Sequence, residues 1–402
     1  MDLATLEALR SPAGVPSHPA IFLALGVVTW ALHIMAVHVT LGSLLLSLIG
    51  LNKGGDQAAH WRRLSYMALE HGKIGVSIAI VLGVAPLLFV QVIYDPFWFV
   101  SNVLSARWAI GFIVLLLVAY WLLWLHYGLV RKAGEASASV FWGWISFALF
   151  LAVGFVMHLL TSQMLYPDEW LQWYAPDGVI DASGSGAHAY NPARYAFFIL
   201  LSLPVTGAWL LGCRQYLAGR AEEDATYIEF LRALGVRLIT LGGALAVAAL
   251  LVWMLTLPAK AAGFAYSPWS VLMAAAVVVL IVLGHKVASG YALAAVSLGV
   301  ELTAGVLREA LRLDILYGVH GYNPLNYTVN MDWYSTLLFF ITFAVLGGLA
   351  LSFMLALAWQ SGRTRGVYTA SPLIARLADW TLIASLAWVA QYFLFGAWVL
   401  LR

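Results

Sequence analysis

Cysteine is nearly absent from this sequence of 402 residues, and that absence excludes several kinds of site. Cys213 is the only cysteine, so no intramolecular disulfide, no iron–sulfur cluster held by cysteines and no C-x-x-C-H attachment site can form. Any metal or haem would be held by histidine, methionine or carboxylate side chains. The net charge of +2 says nothing about nucleic acid, but basic tracts and glycine-rich phosphate loops are missing, so no nucleic-acid partner is expected.

Charge is scarce as well. Charged residues make up 10% of the chain, whereas about 25% is usual in soluble domains. Hydrophobic residues make up 63%, and the mean hydropathy is +0.88. A water-soluble fold cannot bury so much apolar surface, so the sequence predicts a membrane protein that crosses the bilayer many times. The start of the chain lacks the basic flank of a cleaved signal peptide, and we expect the first apolar helix to remain.

Apolar runs of spanning length, separated by polar or Pro/Gly-rich stretches, predict ten helices. Helices are expected because every backbone polar group must be bonded internally within the bilayer. Since the seventh and eighth runs are poorly separated, the expected fold class is an all-α transmembrane bundle of nine or ten helices, in one integral membrane domain spanning 1–402. The predicted helices are 20–51, 64–94, 106–131, 138–165, 191–219, 229–257, 268–288, 289–311, 333–359 and 375–401.

Lysine and arginine are distributed unequally between the two ends of these helices. Of the 21 basic residues, fourteen lie on the side opposite the N-terminus. The positive-inside rule therefore predicts cytoplasmic basic loops in a bacterial inner membrane, with the N-terminus and the acidic loop 166–190 outside. The fourteen are Lys53, Arg62, Arg63, Lys73, Arg131, Lys132, Arg214, Arg220, Arg232, Arg237, Lys286, Arg363, Arg365 and Arg376.

Ionisable residues interrupt the apolar spans. Each is a functional candidate, because burying it costs several kcal/mol unless it is partnered. At 1.5 Å per residue, His33 lies about 20 Å below the N-terminal side, near the middle of the membrane. His38 follows five residues later, about 140° around the helix, so the two imidazoles point in different directions. The interrupting residues are His33, His38, His71, His126, His158, His285, Glu70 and Glu301.

Dispersed imidazoles suit haem better than a compact metal centre. No H-E-x-x-H or similar spacing occurs, whereas haem takes one axial ligand from each face. We expect His33 to be the main ligand and His38 to ligate or to donate a hydrogen bond, with His158 as a further candidate ligand. For His71, His126 and His285 an ordinary position near the surface is the alternative. Glu301 is expected in a polar network or proton path, the alternative being a buried pair with a histidine or Arg308.

The stretch "HIMAVHVTLG" (33–42) resembles the first helix of subunit I of cytochrome bd quinol oxidase, which reads approximately His-Phe-Leu-Phe-Val-Pro-Leu-Thr-Leu-Gly. The histidine of that helix is an axial haem ligand and falls on His33, while His38 replaces the proline. The resemblance implies a bd-like core over about 20–359 and an additional C-terminal helix, 375–401. Further similar stretches are "MLYPDEWLQW" (164–173), "NPARYAFFILLSLPVTGAWLLG" (191–212) and "LREALRLDILYG" (307–318).

The sequence departs from that family at its haem and proton sites. The fifth-helix histidine that ligates the low-spin haem falls on Phe198, although its methionine partner has a counterpart in Met273. The third-helix glutamates used in oxygen chemistry fall on Gly111 and Ala119. The eighth-helix glutamate falls at or beside Arg308, with Glu309 adjacent. The long quinol-binding loop shrinks to "PAKAAGFAYSP".

These features predict a bd-like membrane cytochrome b that carries haem b and transfers electrons rather than reducing oxygen. It would act between membrane quinone or quinol and a redox partner, such as a cytochrome c docked outside, together with other subunits. His126 and His158 would replace lost ligands, with His38, His71 and Met273 as further cofactor contacts. The alternatives are an oxygen reductase with relocated ligands, a haem-free quinone-binding anchor of an oxidoreductase complex, and a transporter. Glu301, Arg308 and Glu309 are predicted to form a proton or polar network.

Overall fold

The computed structural model describes residues 2–134, 139–220, 224–364 and 366–401. Within those ranges the chain is all-α, and ten helices are long and apolar enough to cross a membrane, which confirms the prediction of a polytopic helical membrane protein. The helices are α1 Pro19–Leu51, α2 Ala58–Ile93, α3 Ala106–Ala133, α4 Phe141–Gln163, α5 Pro192–Ala218, α6 Ala225–Leu255, α7 Pro268–Lys286, α8 Gly290–Val319, α9 Trp333–Ser361 and α10 Pro372–Leu400.

Most predicted ends lie within a few residues of the observed ends. The largest difference is at α8, which continues through a π-helical turn, Asp314–Val319, beyond its predicted end. A helix that the sequence analysis did not predict, Asp95–Leu104, follows α2 directly. The predicted start of α4 at residue 138 and the basic residue Arg365 lie outside the described residues.

Local sequence signals explain where several spans begin. The side chains of Asn191, Ser267 and Ser371 accept hydrogen bonds from the backbone N–H three residues later, which caps α5, α7 and α10. In each case a proline follows immediately, where its missing N–H is no loss and its fixed φ already suits a helix. These starts are therefore encoded locally.

The helices divide between two compact units, and the single domain predicted from the sequence stays a prediction. The first unit, Met1–Pro12 and Pro19–Tyr327, contains α1 to α8. Within it α1 is central and contacts α2, α4, α5 and α8. The second unit, Ala13–His18 and Thr328–Arg402, contains α9 and α10, which pack on each other.

Glycine allows close approach of helices in the first unit. A Cβ added to Gly42 of α1 would lie 1.8 Å from Thr206 Oγ1 of α5, so no larger residue fits there without movement. A Cβ on Gly290, at the start of α8, would lie 2.0 Å from the carbonyl oxygen of Leu211. Small residues at such contacts are how membrane helices pack without a strong hydrophobic driving force. This packing brings α1, α5 and α8 together around the candidate site.

Candidate functional site

His33 lies at the contact between α1 and α2. Its Nδ1 is 2.8 Å from the carbonyl oxygen of Ala79, and since a carbonyl only accepts, Nδ1–H is the donor. Nε2 is then the ring nitrogen with a free lone pair, and it has no hydrogen-bond partner among the described residues. Gly83 makes room for the ring, because a Cβ there would lie 2.8 Å from His33 Cε1. The imidazole is therefore held in one tautomer and one orientation, as histidine ligands of metals commonly are.

His38 faces a different neighbour, as the 140° offset predicts. Its Nδ1 is 2.6 Å from Glu301 Oε1 of α8, and the two side chains are 1% and 0% exposed. Thr206 of α5 donates a hydrogen bond to the His38 carbonyl oxygen at 3.2 Å. Glu301 Oε2 is enclosed and has no hydrogen-bond partner in the described part of the chain. The pair matches the predicted alternative of Glu301 bonded to a histidine, deep in the bundle.

Glu309 lies eight residues after Glu301 on α8 and belongs to a separate polar group. It accepts hydrogen bonds from the Tyr94 hydroxyl at 2.5 Å and from Arg312 Nη1 at 2.7 Å. Burial, and next the Glu309 charge, raise the pKa of Tyr94 well above its usual value, so the phenol stays a proton donor. Arg308 instead places its guanidinium 4.5 Å from the ring centre of Trp30. The structure thus separates Glu301 from Glu309 and Arg308, which the sequence analysis had grouped.

Two buried arginines were not predicted from the sequence. Arg312 pairs with Glu309, and Arg194, near the start of α5, donates from Nη1 to Ser162 Oγ at 2.5 Å. Both are less than a tenth exposed. Their signal in the sequence is weak, because arginines near helix ends usually extend to the membrane surface. Only the packing shows that these two are enclosed.

The other predicted ligands are dispersed. His126 is fully buried and is therefore not a surface residue. Its Nε2 lies close to Gly143, since a Cβ added to that glycine would be 2.8 Å from Nε2. His158 Nε2 accepts the backbone N–H of Asn191 at 3.1 Å. Met273 is buried in α7, while His285 contacts Thr240 at 2.8 Å through Nε2. In the part of the chain that the structure describes, no group of three or more His, Cys, Asp or Glu side chains could hold a metal ion.

Aromatic side chains occupy the position where the resemblance places the low-spin haem ligand. The ring of Phe198 lies 5.7 Å from Trp30, 5.0 Å from Phe197 and 5.7 Å from Trp253, measured between centroids. Such contacts stabilise a packed interior by about 0.5–1.5 kcal/mol per pair beyond area burial. This region is filled by protein side chains, and the residues there do not fit an axially ligated haem.

His33 supplies one donor atom of the kind that an axial haem bond uses. One axial bond needs one free imidazole nitrogen, and His33 Nε2 is such an atom on a ring already held by Ala79. Comparison of the chain with family models, with curated proteins and with solved structures gives no match. Function is therefore inferred from the residues themselves.

Proposed function

We propose that this chain is a membrane cytochrome b, similar to bd subunit I, that transfers electrons between membrane quinone or quinol and a redox partner such as a cytochrome c. The observation that carries the proposal is the hydrogen bond from His33 Nδ1–H to the Ala79 carbonyl, which leaves Nε2 free within a membrane helix. An imidazole at that depth needs a partner for its second nitrogen. Iron of haem b is the partner that this proposal assigns.

The roles of the chain's own residues follow from their contacts. His33 would hold the haem, whose bound iron supplies one-electron transfer. Ala79 fixes the tautomer of His33, and Gly83 provides the space for its ring. The His38–Glu301 pair is buried near the middle of the membrane. Ionisable pairs at that depth can take up or release a proton, and here this would balance the charge of an electron arriving at the haem. His126 and His158 stay candidate ligands, although His158 must first give up its bond from Asn191.

Oxygen reduction is not part of the proposed function. Two glutamates that the bd family uses for it fall on Gly111 and Ala119. A Cβ on Gly111 would meet no atom within 4 Å, so a side chain there would begin in open space rather than in a packed interior. Ala119 is fully buried, and its carbonyl accepts the Ser146 hydroxyl at 2.7 Å.

A haem-free quinone-binding anchor is the second candidate. It is favoured by the aromatic packing around Phe198, which removes the low-spin haem position of the bd family. For either function we propose a bacterial inner membrane, with the N-terminus outside and the basic loops cytoplasmic, because of the distribution of lysine and arginine. Lipid and further redox subunits would be its partners in both cases.

The experiment is a haem measurement on the purified protein with its partners, after expression with haem supplied. Reduced-minus-oxidised and pyridine haemochrome spectra are compared among the wild type, His33→Ala and the control His285→Ala. We expect protohaem bands in the wild type and in the control, and a loss of at least half of them in His33→Ala. A colourless wild type would leave the quinone anchor as the better hypothesis. Bands unchanged in His33→Ala would show that another residue holds the iron.

A further inference from the structure

A groove of about 360 Å³ opens on the side of the first unit. Its lining comes from one face each of α1 and α2, with positions spaced i, i+3, i+4 and i+7 between Leu32 and Val39 and between His71 and Ile78. Trp209 of α5 completes it. The volume lies within the range of small-molecule sites, roughly 300–1,000 Å³.

Among the described residues that line the groove, His71 alone has an ionisable side chain. Its ring lies edge-on to Trp209, with centroids 5.1 Å apart and planes at 87°. Neither nitrogen makes a hydrogen bond to any described residue, and Nδ1 is fully enclosed. An imidazole carries at least one N–H, so the groove contains an unpaired polar group in apolar surroundings. Leaving such a group unpaired is unfavourable, so the groove favours a ligand that can hydrogen-bond to it.

The groove is reachable from the lipid. Leu32, Ile74 and Ile78 are 40%, 52% and 48% exposed, and all three belong to membrane-spanning helices. A hydrophobic ligand dissolved in the bilayer can therefore enter sideways between α1 and α2. An acyl chain would fill the apolar part but would leave His71 unpaired. A ligand with a carbonyl or hydroxyl group on an apolar body would fill the apolar part and also form a hydrogen bond with His71.

We propose that this groove binds the head group of a prenylated quinone, with His71 bonded to a quinone oxygen and the prenyl chain lying toward Leu32 and Ile78. This inference rests on the proposed function, which requires a quinone, and it adds where on the chain the quinone binds. The aromatic head group also matches the indole of Trp209, since flat rings pack favourably against one another. The groove is lined by neither His33 nor His38, so the residues assigned to the quinone differ from those assigned to haem.

The test uses a short-chain photoreactive azidoquinone with the full chain in quinone-free lipid nanodiscs. Labelled peptides are identified by mass spectrometry, and affinity is measured by competition with the unlabelled short-chain quinone. His71→Leu removes the polar partner, and Ala36→Phe fills the groove from α1. Val81→Phe is the bulk control, because Val81 is an exposed residue of α2 outside the groove.

We expect labelling of α1, α2 or α5, at least tenfold weaker binding in His71→Leu, near-complete loss in Ala36→Phe and unchanged binding in Val81→Phe. Labelling confined to other helices, or wild-type affinity in His71→Leu, would overturn the proposal and leave the groove to lipid chains. Loss of haem bands in His71→Leu would also overturn it, since His71 would then be an iron ligand. Haem is measured on the same samples, so the two hypotheses can fail separately. Quinone bound in the groove of a protein without haem would contradict the cytochrome function but not this site. Haem in a protein that binds no quinone in the groove would contradict this site but not the cytochrome function.

Discussion

The first eight spans and the last two differ in what they bury. Helices α1 to α8 enclose histidines, glutamates and arginines, whereas Ile374 alone is buried among the described residues of α9 and α10. All ten are similarly apolar, so hydropathy does not separate the two groups. A span without buried residues depends on lipid, or on a partner, for its surroundings. The buried ionisable groups of the described residues, and with them the candidate chemistry, therefore lie in the first unit.

The largest expected effect is at the His38–Glu301 pair. Glu301→Leu leaves the imidazole of His38 buried without its partner, and breaking a buried pair in this way destabilises by about 3–5 kcal/mol. Gln391→Leu, on α10, is the matched change in the second unit, where the side-chain amide oxygen of Gln391 accepts a hydrogen bond from the Tyr334 hydroxyl at 3.0 Å. We expect it to change stability by less than about 1 kcal/mol.

Equilibrium unfolding in mixed micelles, followed by circular dichroism, measures both variants. The double variant His38→Leu/Glu301→Leu should recover most of the loss, because replacing both partners removes the unpaired group. His38→Leu alone is measured as well, and a double variant as unstable as the sum of Glu301→Leu and His38→Leu would show that the pair is not coupled.

A smaller effect on stability is expected when a glycine of each region is replaced by alanine. Gly83→Ala places a Cβ 2.8 Å from His33 Cε1, and such overpacking typically costs about 1–3 kcal/mol. Gly348→Ala, in α9, meets no atom within 4 Å and should be neutral or slightly stabilising, because alanine is the better helix former. Thermal unfolding of both variants checks this, and any haem spectrum should change only in Gly83→Ala. Equal shifts in the two variants would contradict the difference between the regions.

The smallest effect is expected outside the spans. Asp168 is partly buried, which disfavours its charge, but the Lys260 ammonium at 2.8 Å outweighs this and lowers the pKa of Asp168. A lowered pKa stabilises the folded state above the unfolded value, and this contribution is lost as the pH falls below about 4. The side chains of Lys260 and Asp168 are still 22% and 44% exposed, so water screens the pair and Asp168→Asn should cost at most about 1 kcal/mol at pH 7.

Unfolding of the wild type and Asp168→Asn across pH and salt measures that difference. It should shrink in acid and at high ionic strength, because both remove the charge interaction. A difference that persists in acid would assign the stabilisation to packing instead.

Helix positions were largely predictable because their signals are local. Apolar runs gave ten spans, and caps such as Ser267 and Ser371 lie where those runs begin. The helical period also predicted that His33 and His38 point apart, which the structure confirms. The short helix Asp95–Leu104 was missed, because ten residues between two spans resemble a connecting loop.

Which buried side chains contact one another could not be read from the sequence and depends on how the helices pack. His38 meets Glu301 across 263 positions of sequence, and Tyr94 meets Glu309 across 215. A membrane helix is apolar on every side, so its sequence does not distinguish a face toward lipid from a face toward another helix. Composition and apolar runs alone were enough to predict that the chain spans the membrane and that polar groups lie within the spans. Which of them pair, which find no partner among the described residues, as His71 does, and which groove they line depended on how the helices pack.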